Sequence, residues 1–134
     1  MINMNLINFI NPISDLAILA GEAILEVYNS DFEIEEKSDL SPLTEADLRS
    51  HKVIVRGLDS IDPKIPIISE EDNLQNFDKR KQWKRYWLID PLDGTKEFIN
   101  KNGEFTVNIA LIENNKPVLG VVHVPVSAET YIAC

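Results

Sequence analysis

The apolar positions fall into two regimes. Early in the chain they recur every three or four residues; later they gather in short, β-branched runs. Ile13, Leu16, Ala17, Ala20, Ala23, Ile24, Val27 and Tyr28 form the first series, which predicts an amphipathic helix with one core face. Asn11-Pro12 suits its start, with an N-cap residue followed by proline at the first helical position. Weaker spacing through Leu6, Ile7 and Phe9 extends the pattern upstream. Asn29 to Asp39 is polar and acidic, with Phe32 and Ile34 alternating, and reads as a short edge strand or loop. Thr44, with Asp47 three residues on, predicts the opening of a second helix. Leu48, Ile54, Val55, Leu58 and Ile61 supply its buried face, and Asp62-Pro63 ends it.

The period then changes. Ile65 to Ile68 predicts a short strand running into Ser69-Glu70-Glu71-Asp72, followed by a polar connection from Asn73 to Gln82. Tyr86 to Ile89 predicts a strand ending at Asp90. Thr106 to Glu113 and Lys116 to Val124 predict a hairpin turning at Asn114-Asn115, and Thr130 to Ala133 a last strand. Two helices followed by mostly antiparallel strands make an α+β fold, with helices layered on the sheet.

Composition narrows the possibilities. A chain of 134 residues, 44% hydrophobic, predicts one globular domain with a modest core. The formal net charge of -9 argues against coating a nucleic-acid polymer, which needs a basic footprint. It is compatible with a small phosphorylated substrate, because bound cations neutralise both partners. The single cysteine, Cys134, gives no internal disulfide and fits a reducing compartment. The first ten residues hold three asparagines and no basic residue, unlike a signal peptide, and no transmembrane segment is predicted. A cytoplasmic location is expected, with peripheral attachment to the inner membrane as the alternative.

Chemistry concentrates in Trp87 to Phe98, where an apolar strand meets Asp90-Pro91-Leu92-Asp93-Gly94-Thr95. If the strands leading to Glu70 and Asp90 are neighbours, their ends bring the carboxylates together. Pro91 is expected to break the strand, and Gly94 to let the backbone turn closely around a ligand. Asp90 and Asp93 could then converge on one ion, with the Leu92 carbonyl as a further ligand. These hard oxygen donors suit Mg²⁺. Two carboxylates about 4 Å apart repel by roughly 4 kcal/mol at an effective dielectric of about 20, so such a cluster calls for cations. Asp-Pro-x-Asp-Gly is equally ordinary turn chemistry, and spacing alone does not choose. Thr95 to Ile99 could start a helical turn whose free N–H groups favour a phosphate. Asp47, on spacing alone, reads as a first-turn acid complementing the helix dipole.

On these residues the chain resembles the Mg²⁺-dependent, lithium-sensitive phosphomonoesterases of the inositol monophosphatase and fructose-1,6-bisphosphatase superfamily. Ser69-Glu70-Glu71-Asp72 and the Asp90 to Thr95 signature carry the resemblance. Ser41-Pro42-Leu43-Thr44-Glu45-Ala46-Asp47, Lys96-Glu97-Phe98-Ile99, Asn102 to Ile112 and Lys116 to Val122 point within it to the bacterial 3'(2'),5'-bisphosphate nucleotidases (CysQ type). The resemblance implies a first metal held by Glu70, Asp90 and the Leu92 carbonyl, and a second held by Asp93. It implies that Thr95 orients the attacking water, with Asp47 holding Thr95 and Glu70 assisting, while Gly94 and Thr95 amides cradle the phosphate. Glu71 would be supporting. The reaction implied is in-line attack of water on 3'-phosphoadenosine 5'-phosphate, with two or more Mg²⁺ ions activating the water and stabilising the leaving oxygen. Sulfate assimilation and nucleotide recycling follow as its setting.

Members of this family are about twice as long, and their second half carries a Trp-Asp motif. Here neither Trp83 nor Trp87 precedes an aspartate. Residues 1–134 are therefore expected to be the N-terminal, metal-binding half of the domain, as a fragment or a decayed gene product. Inositol monophosphatase activity and a truncated, non-catalytic metal-binding remnant are the alternatives. A sheet left uncovered would favour self-association. The basic run at Lys79, Arg80, Lys81, Lys84 and Arg85 reads as a solvated connection, and Lys37 as a surface lysine. His51 and His123 read as helix-surface and sheet-edge residues.

Overall fold

The computed structural model describes residues 4–30, 41–69 and 82–134. The first helical series runs longer than its cap suggests. Helix α1 spans Met4–Tyr28 and passes straight through Pro12. Proline removes the N–H that would bond the carbonyl four residues back. Both Pro12 and Asn8 lie on the exposed side, where water can serve that carbonyl. The first turns are held from elsewhere: Leu6 is buried, and the Phe9 ring meets Trp87 edge-on at 5.6 Å. Tertiary packing thus outweighs the local helix-start signal at Asn11.

Helix α2 spans Pro42–Ile61. Its N-cap is Ser41, whose Oγ accepts from the Thr44 N–H at 3.1 Å, so the helix opens three residues before Thr44. Its buried stripe is Ala46, Ser50, Ile54 and Leu58, at steps of four. Leu48 lies off that stripe and is exposed, while Val55 and Ile61 are half-buried. Arg49 bridges Glu45 at 2.6 Å and Glu26 of α1 at 3.2 Å.

Among the described residues, five strands form one sheet in the order β1 (Ile67–Ser69), β2 (Arg85–Asp93), β3 (Thr106–Glu113), β4 (Lys116–Val124), β5 (Glu129–Ala133). In this sheet β1 and β2 run parallel, and β2–β3, β3–β4 and β4–β5 are antiparallel. Asn114 and Asn115 both take positive φ, the backbone that a tight two-residue hairpin demands. Arg85 of the basic run is committed across β2–β3 to Glu113 at 3.1 Å. Helices α1 and α2 pack on each other and on one sheet face. Trp87, Ile89, Val107, Ile109, Leu111, Leu119 and Val121 fill that face. The expected α+β layering is therefore present. Among the described residues no helix is long and apolar enough to cross a membrane.

His123 departs from expectation. It lies in β4, an inner strand, and is 3% exposed. Its Nδ1 is 2.8 Å from Thr130 Oγ1 on β5, and a Cβ on Gly21 of α1 would come within 2.8 Å of its ring. The missing side chain at Gly21 is what makes room for the imidazole.

Candidate metal centre

The carboxylates of Asp90 and Asp93 depend on an irregularity in β2. In a regular strand, residues three apart point to opposite faces. Here Asp90 pairs with Asn108 and Asp93 with Thr106, so three steps on β2 match two on β3. This β-bulge absorbs one residue. Asn108 and Thr106 are two apart and share a face; their partners Asp90 and Asp93 therefore share it too. Pro91 sits inside the bulge, where a missing N–H costs no ladder bond. It does not end the strand, as its chemistry suggests; pairing resumes at Asp93.

Helix α2 fixes the bulge. The Ser50 hydroxyl donates to the Pro91 carbonyl at 2.7 Å, with Ser50 fully buried. Leu92 sends its side chain into the core. Asp47 lies three residues before Ser50, on the same side of α2, half-buried and with one carboxylate oxygen buried.

The strand then turns at Gly94 into a short helix, α3 (Thr95–Ile99). Gly94 has φ of 92°, and an added Cβ would lie 3.2 Å from the Phe105 backbone. Both conformation and space require glycine there. An aromatic trio supports the turn from below, with Tyr28–Phe105, Phe98–Phe105 and Tyr28–Phe98 centroids at 4.8, 5.3 and 5.5 Å. Lys101 closes the same corner by donating to the Tyr28 carbonyl at the end of α1, 2.8 Å away.

The structure thus gathers the first half of α2, the end of β2 and the start of α3, with α2 touching both β2 and α3. Asp47, Asp90, Leu92, Asp93, Gly94 and Thr95 all lie on these segments. Parallel pairing sets Ser69 beside Ile89, so β1 and β2 are the neighbours the sequence reading required. Glu70, with Glu71, Asp72, Lys37, Phe32 and Ile34, lies outside the described residues. Among the described residues, no three His, Cys, Asp or Glu side chains converge at metal-binding spacing.

The inositol monophosphatase family matches residues 6–134. The chain belongs to the inositol monophosphatase family. Within it, a CysQ 3'(2'),5'-bisphosphate nucleotidase of Salmonella typhimurium is 53% identical over 126 residues, which are 92% of this chain and 51% of that protein. The CysQ nucleotidase of Escherichia coli K12 is 50% identical over the same shares. A crystal structure of CysQ from Bacteroides thetaiotaomicron, a bacterial member of the family, superposes with a TM-score of 0.78 at 48% identity. It covers 92% of this chain and 45% of its own. The chain spans about half the length of the curated relatives it matches.

Inositol monophosphatase family enzymes are metal-dependent, generally on Mg²⁺. The donor set here fits such an ion: two aspartates turned to one face, with oxygen the only ligand atom they offer. Three contributors escaped the sequence reading. Ser50 stands as a polar residue on the apolar stripe between Ala46 and Ile54, a signal that it is buried for a partner. Thr106 and Asn108 alternate with buried Val107 and Ile109, which marks them as facing the aspartates' side of the sheet.

Proposed function

We propose that this chain supplies the metal- and phosphate-binding half of a Mg²⁺-dependent phosphomonoesterase acting on 3'-phosphoadenosine 5'-phosphate, yielding AMP and phosphate. The β2 bulge supports this reading, because its register puts Asp90 and Asp93 on one face of the sheet. The identity of 50–53% to proteins named 3'(2'),5'-bisphosphate nucleotidase supports the substrate. Recycling of that nucleotide during sulfate assimilation in the cytoplasm is the corresponding role.

Glu70, Asp90, Asp93 and the Leu92 carbonyl would hold two or more Mg²⁺ ions. Bound Mg²⁺ supplies charge neutralisation for the phosphate and a lowered pKa for water. The chain's own groups do the positioning. The Thr95 N–H and those that follow it in the first turn of α3 have no partner within the helix and, with the Gly94 amide, would offer donors to phosphate oxygens. The Thr95 hydroxyl orients the water, with Asp47 holding Thr95 and Glu70 assisting as a proton acceptor. The sheet face bearing Val122 and Tyr131, both exposed, supports self-association as the chain's contact with other polypeptides.

Phosphate release from 3'-phosphoadenosine 5'-phosphate is expected to need Mg²⁺ and to be lost in Asp90→Asn. Equal or faster release from inositol 1-phosphate would overturn the substrate. A second reading is that residues 1–134 bind the metal without turnover by themselves. Mg²⁺ binding with no release from either phosphate ester would select it.

A further inference from the structure

Asp93 has company on the face it shares with Asp90. Asn108 Nδ2 donates to Asp93 Oδ2 at 3.3 Å. Thr106 Oγ1 donates to Asn108 Oδ1 at 3.1 Å. Chemistry sets the direction of this relay. An ionised carboxylate only accepts, so the amide must turn its NH₂ to Asp93 and leave its carbonyl for the threonine hydroxyl. Thr106 is branched at Cβ, which restricts χ1 and steadies the donor. Thr106 and Asn108 are also the register partners of Asp93 and Asp90, so the relay spans both rungs of the bulge. Asp93 itself is exposed. Without these contacts its side chain would rotate freely in water.

We infer that Thr106 and Asn108 are a positioning pair: they fix Asp93 through Oδ2 and present Oδ1 to a divalent cation. This rests on Asp93 being an ion ligand, as under Proposed function. The pair touches neither the ion nor the phosphate. It stabilises binding by orienting a ligand before the ion arrives. Hydrogen-bond partners of metal ligands commonly account for 10- to 100-fold in affinity. The exposed setting puts this pair at the lower end, about tenfold. A purely architectural role, joining β2 to β3, would appear in folding stability instead.

The test is Mn²⁺ affinity of the 134-residue chain, read from the electron paramagnetic resonance signal of the free ion, beside the metal-free melting temperature. Asn108→Ala is expected to weaken Mn²⁺ binding about tenfold. Thr106→Val, which keeps shape and loses the donor, should weaken it less, and Thr106→Ser should restore it. Unchanged affinity in Asn108→Ala and Thr106→Val would overturn the pair. So would weaker binding that tracks a lower metal-free melting temperature and is not restored by Thr106→Ser. If the unaltered chain binds no Mn²⁺, or Asp93→Asn binds as well as it does, Asp93 is no ligand and the reading beneath the pair fails.

Discussion

Single residues in this chain take their meaning from what faces them. His123 is the clearest case. Its ring is enclosed between Gly21 of α1 and Thr130 of β5, and burial pushes its pKa below the ordinary value near 6.5. A hydrogen bond involving the Glu129 backbone and the charge of Glu22 oppose that shift without reversing it. The folded protein therefore takes up the proton less readily than the unfolded chain. Above the ordinary value both states are neutral and the full contribution is present. As pH falls from about 6.5 toward the depressed folded value, only the unfolded chain gains the proton, and stability drops. The urea midpoint is expected to fall between pH 7.5 and pH 5.5, and His123→Gln to remove part of that slope. An equal slope in the variant would assign the loss to other groups. On the outer strand, the Tyr131 hydroxyl donates to Glu129 at 2.7 Å. This bond holds Glu129 below the usual carboxylate range and Tyr131 above the usual phenol range.

At the scale of elements, the decisive piece is the bulge in β2 and its tie to α2. Ser50→Ala removes the donor to Pro91 and leaves a buried carbonyl unsatisfied, a loss of about 1–3 kcal/mol. Chemical denaturation should show it, and a change near zero would mean that water replaces the hydroxyl. Elements specified by local chemistry were legible in the sequence. The β3–β4 turn needs only two asparagines that tolerate positive φ between two β-branched runs, although the pairing slips by one residue between Leu111 and Ile112. The core stripe of α1 needs only its spacing, and all but Ala23 of its predicted apolar residues from Ile13 to Tyr28 are buried. Features set by distant partners were not legible. Helix α1 continues past Pro12 because Phe9 finds Trp87, and β2 continues past Pro91 because β3 accepts it again at Thr106. The candidate site divides the same way. Its acids could be picked out as oxygen donors near a turn. Their common face could not, since a strand's in-out parity is reset by a bulge visible only against the partner strand.

Among the described residues, the helices dress one face of the sheet and leave the other open. The helices cover the face of Trp87, Ile109 and Val121. The opposite face carries a half-buried to exposed row of Leu88, Ala110, Gly120 and Ala133 beside Val122 and Tyr131. Strand β5 ends the sheet, with β4 as its only strand partner among the described residues. Exposed apolar faces and free strand edges associate. Sedimentation velocity is expected to show mass rising with concentration, reduced in Val122→Asp; a monomer at all concentrations would contradict this. The two acids and their polar partners lie on the same open face, at the end of β2. The proposed function needs the bulge to hold Asp90 and Asp93 at a shared Mg²⁺ centre, and titration of the isotope-labelled chain with Mg²⁺, followed by nuclear magnetic resonance, is the decisive test. Saturable shifts centred on Asp90 to Thr95, Thr106 and Asn108, and absent in Asp90→Asn, are predicted. Shifts that never saturate, or that centre elsewhere in the chain, would contradict it.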